Sequence, residues 1–201
     1  MITHDVINNG LHELFSRRGV QRLFSSARHV HLACSLIPPR RWLSLIGRLI
    51  RRGASVSADV GWNPETLRSA HLPGLLGGMD FIFPNAAEAK AMTGARTVES
   101  AAKMLAGWVQ VPVVKLGQSG SLAVWQGRVV RAKPLRVRSV DATGSGDAFN
   151  GGFLHGYLAG WPIEDCLRAG NVCGAWAAST AGGSSSIPTA KKLKELMNKI
   201  R

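Results

Sequence analysis

The chain has 201 residues, of which 45% are hydrophobic and 18% are charged, a composition that suits one globular domain with a substantial core. Its net charge of +13 fits an anionic substrate or a nucleic-acid partner, but the lack of a zinc-finger motif, an RNA-binding aromatic motif and a basic tail disfavours specific nucleic-acid binding. The three cysteines form no C-x-x-C pair, no apolar run reaches the ~18–20 residues of a membrane span and the first residues lack a signal-peptide pattern, so we expect a soluble, cytoplasmic protein with no membrane partner.

The first half of the chain alternates between helical and strand patterns. Apolar residues recur at helical spacing in three segments, which are residues 10–25, 41–52 and 66–76. Short apolar runs predict strands at residues 29–36, 54–60 and 79–84. Pro73 is expected to break the third helix, because proline lacks the backbone N–H that a helix interior needs.

Two histidines, His29 and His31, lie two residues apart on the first predicted strand and therefore share one face of it. Alternate histidines on a strand can bind a metal ion, or they can pack against their neighbours. The sequence places no carboxylate or cysteine beside them, and this favours packing.

The second half of the chain continues the alternation and adds one hairpin. Helices are predicted at residues 86–93, 98–108, 148–159, 163–180 and 190–200. A strand is predicted at residues 111–116, followed by a hairpin at residues 121–130 that turns at Gln126 and Gly127. Strands that alternate with helices at intervals of ~25–35 residues indicate an α/β fold with a mostly parallel central sheet and helices on both faces. We expect residues 1–201 to form a single domain.

The segment that carries chemistry is DATGSGDAF, residues 141–149. Gly144 and Gly146 flank Ser145, and the loop leads into the helix predicted from residue 148. Backbone N–H groups at a glycine-rich turn and at a helix N-terminus form an anion site, and glycine lets the backbone approach a phosphate closely. Asp147 lies beside this site, where a carboxylate can take a proton from a hydroxyl group while the N–H groups stabilise a phosphoryl group in transfer.

Taken alone, this short pattern is also compatible with Asp147 acting only as a helix N-cap. It is not a dinucleotide-binding G-x-G-x-x-G motif, because Phe149 stands in place of the third glycine. It is not a Walker A motif either, because no G-K-[S/T] occurs in the chain. The wider sequence is therefore needed to choose between the two interpretations.

Four segments, in the expected order, resemble motifs of the ribokinase-like (PfkB family) carbohydrate kinases. DATGSGDAF resembles the family signature D-[T/S]-T-G-A-G-D-x-F, and Asn85 with Glu88 resembles its N-x-x-E motif. Residues 113–120 (VVKLGQSG) resemble its nucleotide-edge strand and turn, and residues 171–188 resemble the stretch that lines its adenine pocket. The resemblance covers residues 28–200 and implies a three-layer ribokinase-like fold. The glycine-rich sugar-binding signature and the lid sheet of the family's N-terminal third are not found in the sequence.

The resemblance implies ATP-dependent phosphoryl transfer to a hydroxyl group of a sugar or sugar acid, with Asp147 as the general base. It also implies that three residues supply anion-hole N–H groups, namely Gly144, Ser145 and Gly146. The nucleotide-binding residues that it implies are Lys115, Gly117, Gly120 and Asn171. Lys115 stands where the family more often has a small hydroxyl residue, so it would either reach an ATP phosphate or occupy an exposed strand end.

Cation sites are implied in the same way. Asn85 and Glu88 would act around Mg²⁺ and its waters, because this hard cation keeps water ligands and needs carboxylate or amide oxygens nearby. The alternative for Glu88 is a solvated helix face. In some relatives a monovalent cation such as K⁺ is bound at positions that match Asp141, Thr143, Gly183 and Ser186.

The expected partner is a small-molecule sugar, for which Asp59 and residues 61–64 are the candidates for direct contact. A homodimer is compatible with the resemblance, although the lid that usually forms the interface is not found. Two alternatives to a sugar kinase stay open at the level of the sequence. The chain could be a catalytically weak, truncated nucleotide-binding remnant, or a basic nucleic-acid-binding protein.

Overall fold

The computed structural model describes residues 18–33, 36, 39–182 and 186–200, and the account of the structure concerns these residues. The chain divides into two compact units, one ending at Pro112 and the other beginning at Val113. Part of the helix predicted at residues 10–25 lies outside the described residues, and so do Cys34 and Gly183.

The first unit alternates strands and helices, as the sequence predicts. Its elements are α1 (Arg18–Ser26), β1 (His29–Ala33), α2 (Pro39–Arg51), β2 (Ser55–Asp59), α3 (Pro64–Leu67), α4 (Leu72–Leu76), β3 (Phe81–Ile82), α5 (Ala86–Thr93), α6 (Val98–Leu105) and the start of β4 (Val111–Lys115). Strands β1 to β4 are parallel neighbours in this order. Their buried side chains form the core, in which Met79, Phe81 and Phe83 are almost completely enclosed. A parallel strand with both faces covered is expected to carry such a continuous apolar run.

The helix predicted at residues 66–76 is interrupted, as expected, but the predicted place of the break was wrong, because two short helices, α3 and α4, occupy this part of the chain and are separated before Pro73. Asn63 starts α3, and its Oδ1 accepts a hydrogen bond from the amide of Thr66 at 3.0 Å. Pro73 does not break a helix. It lies in the first turn of α4, where a missing N–H costs no hydrogen bond.

The second unit contains an antiparallel sheet and a group of helices. Its elements are the rest of β4, a 3₁₀ turn (Gly117–Ser119), β5 (Ser121–Trp125), β6 (Arg128–Ala132), α7 (Ser145–Leu158), α8 (Ile163–Ala178), α9 (Ala190–Met197) and a final 3₁₀ turn (Asn198–Ile200). Strand β5 pairs with β4 and β6 in antiparallel register. The predicted hairpin turn is confirmed, because Gln126 and Gly127 have φ angles of 49° and 75°, the left-handed pair that a tight two-residue hairpin turn requires.

Helices α7 and α8 pack closely, because glycines let their backbones approach each other. A Cβ atom on Gly152 of α7 would lie 2.7 Å from the carbonyl oxygen of Ala169 and 2.7 Å from Sγ of Cys173, both on α8. One turn later, a Cβ on Gly156 would lie 3.2 Å from Sγ of Cys166. The pair shares its core with α9 through buried residues that include Val172, Leu193 and Leu196.

The hydrogen-bonded strand order is β1-β2-β3-β4-β5-β6, with three parallel and two antiparallel pairs. The prediction of an α/β fold with a mostly parallel sheet is therefore confirmed. In the part of the chain that the structure describes, no helix combines the length and the apolar character needed to cross a bilayer.

Candidate active site

The glycine loop forms the N-terminus of α7. The helix begins at Ser145, three residues earlier than the sequence predicts, because Gly144 adopts a left-handed conformation (φ 72°) and serves as the N-cap. The amide of Ser145 donates to the carbonyl oxygen of Ala142 at 3.1 Å. The amides of Gly146 and Asp147 have no hydrogen-bond acceptor among the described residues. Two N–H groups at the positive end of the helix dipole are thus available to an anion.

A cavity of about 600 Å³ opens beside this loop, entirely within the second unit. Six of the residues that line it were predicted from the sequence as nucleotide-binding or anion-hole residues, namely Lys115, Gly117, Gly120, Ser145, Gly146 and Asn171. Among the residues that the structure describes, the lining contains two cationic side chains, those of Lys115 and Arg136, and no carboxylate. Its volume is in the range of small-molecule and cofactor sites. The cavity is therefore suited to an anionic ligand of nucleotide size.

Lys115 lies at the end of β4 and its side chain is half-buried. A Cβ atom on Gly146 would lie 3.4 Å from Nζ of Lys115, so the lysine ammonium lies directly beside the glycine turn. Lys115 is therefore not an exposed strand end, and its contact with an ATP phosphate stays a prediction. The ammonium and the N-terminus of α7 together concentrate positive charge at this point.

Asp147 is the third residue of α7, and its side chain is exposed. Asp147 does not line the cavity, but the preceding residue, Gly146, does. A carboxylate in this position is accessible from solvent while its own backbone N–H belongs to the anion site. Such a side chain can meet a hydroxyl group that approaches the cavity from outside.

Asn171 is buried at the edge of the cavity, on α8. Its Nδ2 group donates to the carbonyl oxygens of Ala132 at 3.1 Å and Lys133 at 3.0 Å, where β6 ends. Gly120 approaches the same place, because a Cβ atom on it would lie 2.2 Å from the carbonyl oxygen of Ala132. Both residues thus contact the protein backbone that forms the cavity.

Sequence reasoning missed the residues that line the cavity between β6 and the glycine loop, chiefly Leu135, Arg136 and Val137. They lie in a segment that is neither helix nor strand, so no periodic pattern marks it. The available signal was the position of the segment, immediately before DATGSGDAF, together with its alternation of apolar and basic side chains in LRVRSV.

Asn85 and Glu88 lie together in the first unit, at the start of α5. Oδ1 of Asn85 accepts from the amides of Ala87 and Glu88, both at 2.9 Å, and Oε2 of Glu88 accepts from the amide of Asn85 at 2.7 Å. This is a capping box, and Glu88 is only 5% exposed, so the alternative of a solvated helix face was wrong. Because helix amides already engage these oxygens, the pair fits a role through the water ligands of Mg²⁺ better than direct coordination.

The residues implied for a monovalent cation have protein partners in the structure. The backbone amide of Thr143 donates to Oδ1 of Asp141 at 2.9 Å. This bond, with further hydrogen bonds from the Thr143 side chain and the Gly182 amide, lowers the pKa of Asp141 from its ordinary value. Oγ of Ser186 accepts from Nε1 of Trp176 at 3.0 Å. Because Gly183 lies outside the described residues, the K⁺ site stays a prediction.

His29 and His31 do share one face of β1, as predicted. Nδ1 and Nε2 of His29 lie 2.7 and 2.8 Å from the hydroxyl oxygens of Ser55 and Ser57, and Nδ1 of His31 lies 2.7 Å from that of Ser57. The ring of His31 also packs edge-on against Phe83. Burial, and secondarily the charge of His31, lowers the pKa of His29 to about 4. These contacts are those of packed strand residues.

The candidates for contact with a sugar lie at the end of β2 and in the loop that follows it. Oδ1 of Asp59 accepts a hydrogen bond from the amide of Gly61 at 3.2 Å, which fixes the start of the loop. Trp62 in that loop is 60% exposed, an unusually open position for so large an apolar side chain. The loop therefore presents an aromatic surface to solvent, and its role in acceptor binding stays a prediction.

Comparison with known proteins identifies the family. Residues 4–190 match the family model described as pfkB family carbohydrate kinase. The chain belongs to the PfkB family of carbohydrate kinases. Its six-stranded sheet with surrounding helices is the ribokinase-like fold that the sequence resemblance implied.

Two curated PfkB-like relatives and one solved structure illustrate the similarity. The chain is 38% identical over 141 residues to the cytidine kinase of Thermococcus kodakarensis, in a match that covers 68% of this chain and 50% of that protein. It is 30% identical over 194 residues to the 2-dehydro-3-deoxygluconokinase of Bacillus subtilis, covering 89% and 59%. The structure of Arabidopsis thaliana ribokinase complexed with ribose and ATP superposes with a TM-score of 0.77 and 25% identity, covering 90% and 59%. The chain spans about half the length of the curated relatives it matches.

Proposed function

We propose that this PfkB family chain transfers a phosphoryl group from ATP to a hydroxyl group of a sugar or sugar acid. The observation that carries the proposal is the cavity of the second unit, which borders the N-terminus of α7 and whose described lining residues include two cationic side chains and no carboxylate. A site of this kind attracts phosphate groups through fixed N–H dipoles and through the charges of Lys115 and Arg136.

The phosphates of ATP bind at the glycine turn. Lys115 holds one of them from the end of β4, and the amides of Gly146 and Asp147 donate to the phosphoryl group that is transferred. Little covalent chemistry is asked of the protein in this reaction, because catalysis depends on positioning and on stabilising charge. Apolar residues of the lining, among them Leu135 and Val137, provide a surface for the base.

Asp147 acts as the general base. Its exposed carboxylate accepts the proton of the acceptor hydroxyl group as the oxygen attacks the terminal phosphorus atom, and ADP leaves. Its position one residue beyond Gly146 supports this role, because the base and the donor amides then belong to the same helical turn.

We further propose, from the family resemblance, that Asn85 and Glu88 of the first unit act on Mg²⁺ through its water ligands, since their oxygens lie at the start of α5 and are already held in place by the capping box. The buried carboxylate of Glu88 supplies the negative charge in this pair.

The proposal is tested by ADP release with a panel of acceptors that includes ribose, 2-dehydro-3-deoxygluconate and cytidine. We expect at least one acceptor to stimulate ADP release, and Asp147→Asn to lower the stimulated rate by about 10²–10⁴-fold while the Kd of ATP changes little, because a general base contributes that much to the chemical step. Glu195→Gln, which removes an exposed carboxylate of α9 outside the cavity, is the control.

Two results would contradict the proposal. If ATP binds and no acceptor stimulates turnover, the chain is a nucleotide-binding remnant. If an acceptor stimulates turnover equally in Asp147→Asn, another group is the base. ATP binding itself is measured beforehand as an increase in the midpoint of thermal unfolding.

A further inference from the structure

One wall of the cavity is formed by residues 133–141, which connect β6 to the glycine loop and are neither helix nor strand. Leu135, Arg136, Val137 and Ser139 of this wall line the cavity. A connecting segment without a ladder of its own hydrogen bonds keeps a fixed course only if other groups hold its ends. The contacts at those ends therefore decide where Arg136 lies.

The first end of the wall is held by Asn171. Both hydrogens of its Nδ2 group are used, one for the carbonyl oxygen of Ala132 and one for that of Lys133. Gly120 supports the same peptide from another side, since any side chain on it would collide with the carbonyl oxygen of Ala132. Pro134 follows directly, and its ring fixes φ as the chain turns into the wall. The direction of the wall is thus set within three residues.

The second end is held by the last residue of the same helix. The amides of Val140 and Asp141 both donate to the carbonyl oxygen of Ala178, at 2.7 and 3.1 Å. Asn171 and Ala178 are seven residues apart on α8, which is about two helical turns. Helix α8 therefore carries both anchors of the wall.

We propose that Asn171 is a positioning residue for the phosphoryl donor: it fixes the wall, and through the wall it fixes Arg136. The inference rests on the proposed function, since it assigns a role within the same cavity. The two hydrogens of the Asn171 side-chain amide are both engaged by the wall. Loss of the Asn171 side chain should therefore displace Arg136, which lies three residues beyond the anchored carbonyl of Lys133, and so weaken the binding of the phosphates.

The test compares two ligands, ATP and inorganic tripolyphosphate, each with Mg²⁺. Asn171→Ala removes both hydrogen bonds, and Asn171→Asp keeps the shape of the side chain while it sets a carboxylate against two carbonyl oxygens. We expect both variants to raise the Kd of both ligands by about tenfold, the factor that corresponds to ~1.4 kcal/mol. Gln110→Ala, which removes an exposed side chain that does not line the cavity and anchors no part of the wall, should leave tripolyphosphate binding unchanged.

A second measurement needs no ligand. Trypsin can cut the wall after Arg136 and Arg138, which are exposed. We expect both Asn171 variants to be cut there about tenfold faster than the unsubstituted chain and the Gln110→Ala variant, while cooperative thermal unfolding shows that the variants are folded. Asn171→Ser, which can donate at most one of the two hydrogen bonds and adds no charge, decides the matter if either of the other variants unfolds.

The outcomes are distinct. If the Asn171 variants weaken ATP binding only, and trypsin cuts them at the normal rate, Asn171 contacts the base and the positioning role is wrong. If the unsubstituted chain binds neither ATP nor tripolyphosphate, the proposed function fails. In that case the trypsin comparison still decides whether Asn171 anchors the wall.

Discussion

Lys115 and Arg136 bring two different kinds of positive charge to one cavity. The lysine ammonium is a compact point charge that lies beside Gly146, whereas the arginine guanidinium is a planar group on a segment without regular structure. A strand end is a rigid support, so Lys115 is the residue whose charge has a fixed position before a ligand arrives. Arg136 depends for its position on the anchors of its segment.

Replacement of the lysine charge should therefore weaken nucleotide binding directly. We expect Lys115→Met to raise the Kd of ATP by about 10–100-fold, because hydrogen bonds to charged groups contribute roughly 1.5–3 kcal/mol. The loss of affinity for ATP should become smaller as the salt concentration is raised, since salt screens the attraction between the ammonium group and the phosphates. Titration calorimetry at low and high salt measures both effects.

The control is Lys192→Met, which removes an exposed lysine of α9 whose Nζ lies 3.2 Å from Glu195. It changes the net charge of the chain by the same amount but leaves the cavity intact. Equal losses in the two variants would show that overall charge, and not the position of Lys115, governs ATP binding.

At the level of elements, the glycine loop depends on how α7 and α8 pack. Helix α7 carries Ser145, Gly146 and Asp147 in its first turn, so any shift of the helix moves the amides and the carboxylate together. Gly174 of α8 lies against this turn, since a Cβ on it would be 3.0 Å from the carbonyl oxygen of Ser145. Close contact of the two helices is thus a requirement of the site as well as of the core.

Two adjacent glycines of α7 allow a matched comparison. A Cβ on Gly152 would collide with the carbonyl oxygen of Ala169, which is helix backbone and cannot move aside, whereas a Cβ on Gly151 would meet nothing within 4 Å. We expect Gly152→Ala to lower the free energy of unfolding by about 1–3 kcal/mol. Gly151→Ala should raise it by roughly 0.5–1 kcal/mol, because alanine favours a helix over glycine. Urea unfolding measures both, and similar values for the two variants would refute the close packing.

For the molecule as a whole, the stability of the first unit should depend on pH through His29. Burial, and secondarily the charge of His31, lowers the pKa of His29 to about 4, so the folded chain prefers the neutral ring. Below the ordinary value of 6.5 the unfolded chain binds a proton that the folded chain excludes. The contribution of His29 to the free energy of unfolding is therefore complete above pH 6.5 and is lost as the pH falls toward 4.

The expected result is a difference between variants. Over pH 7 to 4, the midpoint of thermal unfolding should fall more steeply for the unsubstituted chain than for His29→Gln, which cannot be protonated. His71→Gln, at an exposed position, should follow the unsubstituted chain. If the unfolding midpoint of His29→Gln shows the same dependence on pH as that of the unsubstituted chain, the neutral ring of His29 does not control acid stability.

Much of the fold could be predicted because its signals are local. Alternating apolar patterns gave the succession of strands and helices, and Gln126 with Gly127 marked the hairpin turn. The start of α7 could not be placed, because Gly144 caps the helix through its left-handed backbone and not through a capping side chain. The pattern N-x-x-E was ambiguous for a different reason: Asn85 and Glu88 satisfy a capping box and a family motif with the same atoms.

The cavity was predicted only in part, because half of it depends on distant contacts. Lys115 and Gly146 belong to motifs that can be recognised in the sequence, and both line the cavity. The wall that carries Arg136 is fixed by hydrogen bonds between Asn171 and carbonyl groups 38 and 39 residues earlier in the chain. No local pattern encodes such a contact.

The closeness of α7 and α8 has one more consequence, which concerns the two cysteines between them. Cys166 and Cys173 are buried against Gly156 and Gly152, and burial raises their pKa values to about 12 and about 11. Their thiols stay protonated at neutral pH, and an alkylating reagent reaches them only when the helices separate. The rate of alkylation at these two positions, resolved by mass spectrometry, thus reports how often the helix that carries the glycine loop separates from its neighbour. The chain's own cysteines serve as the probes.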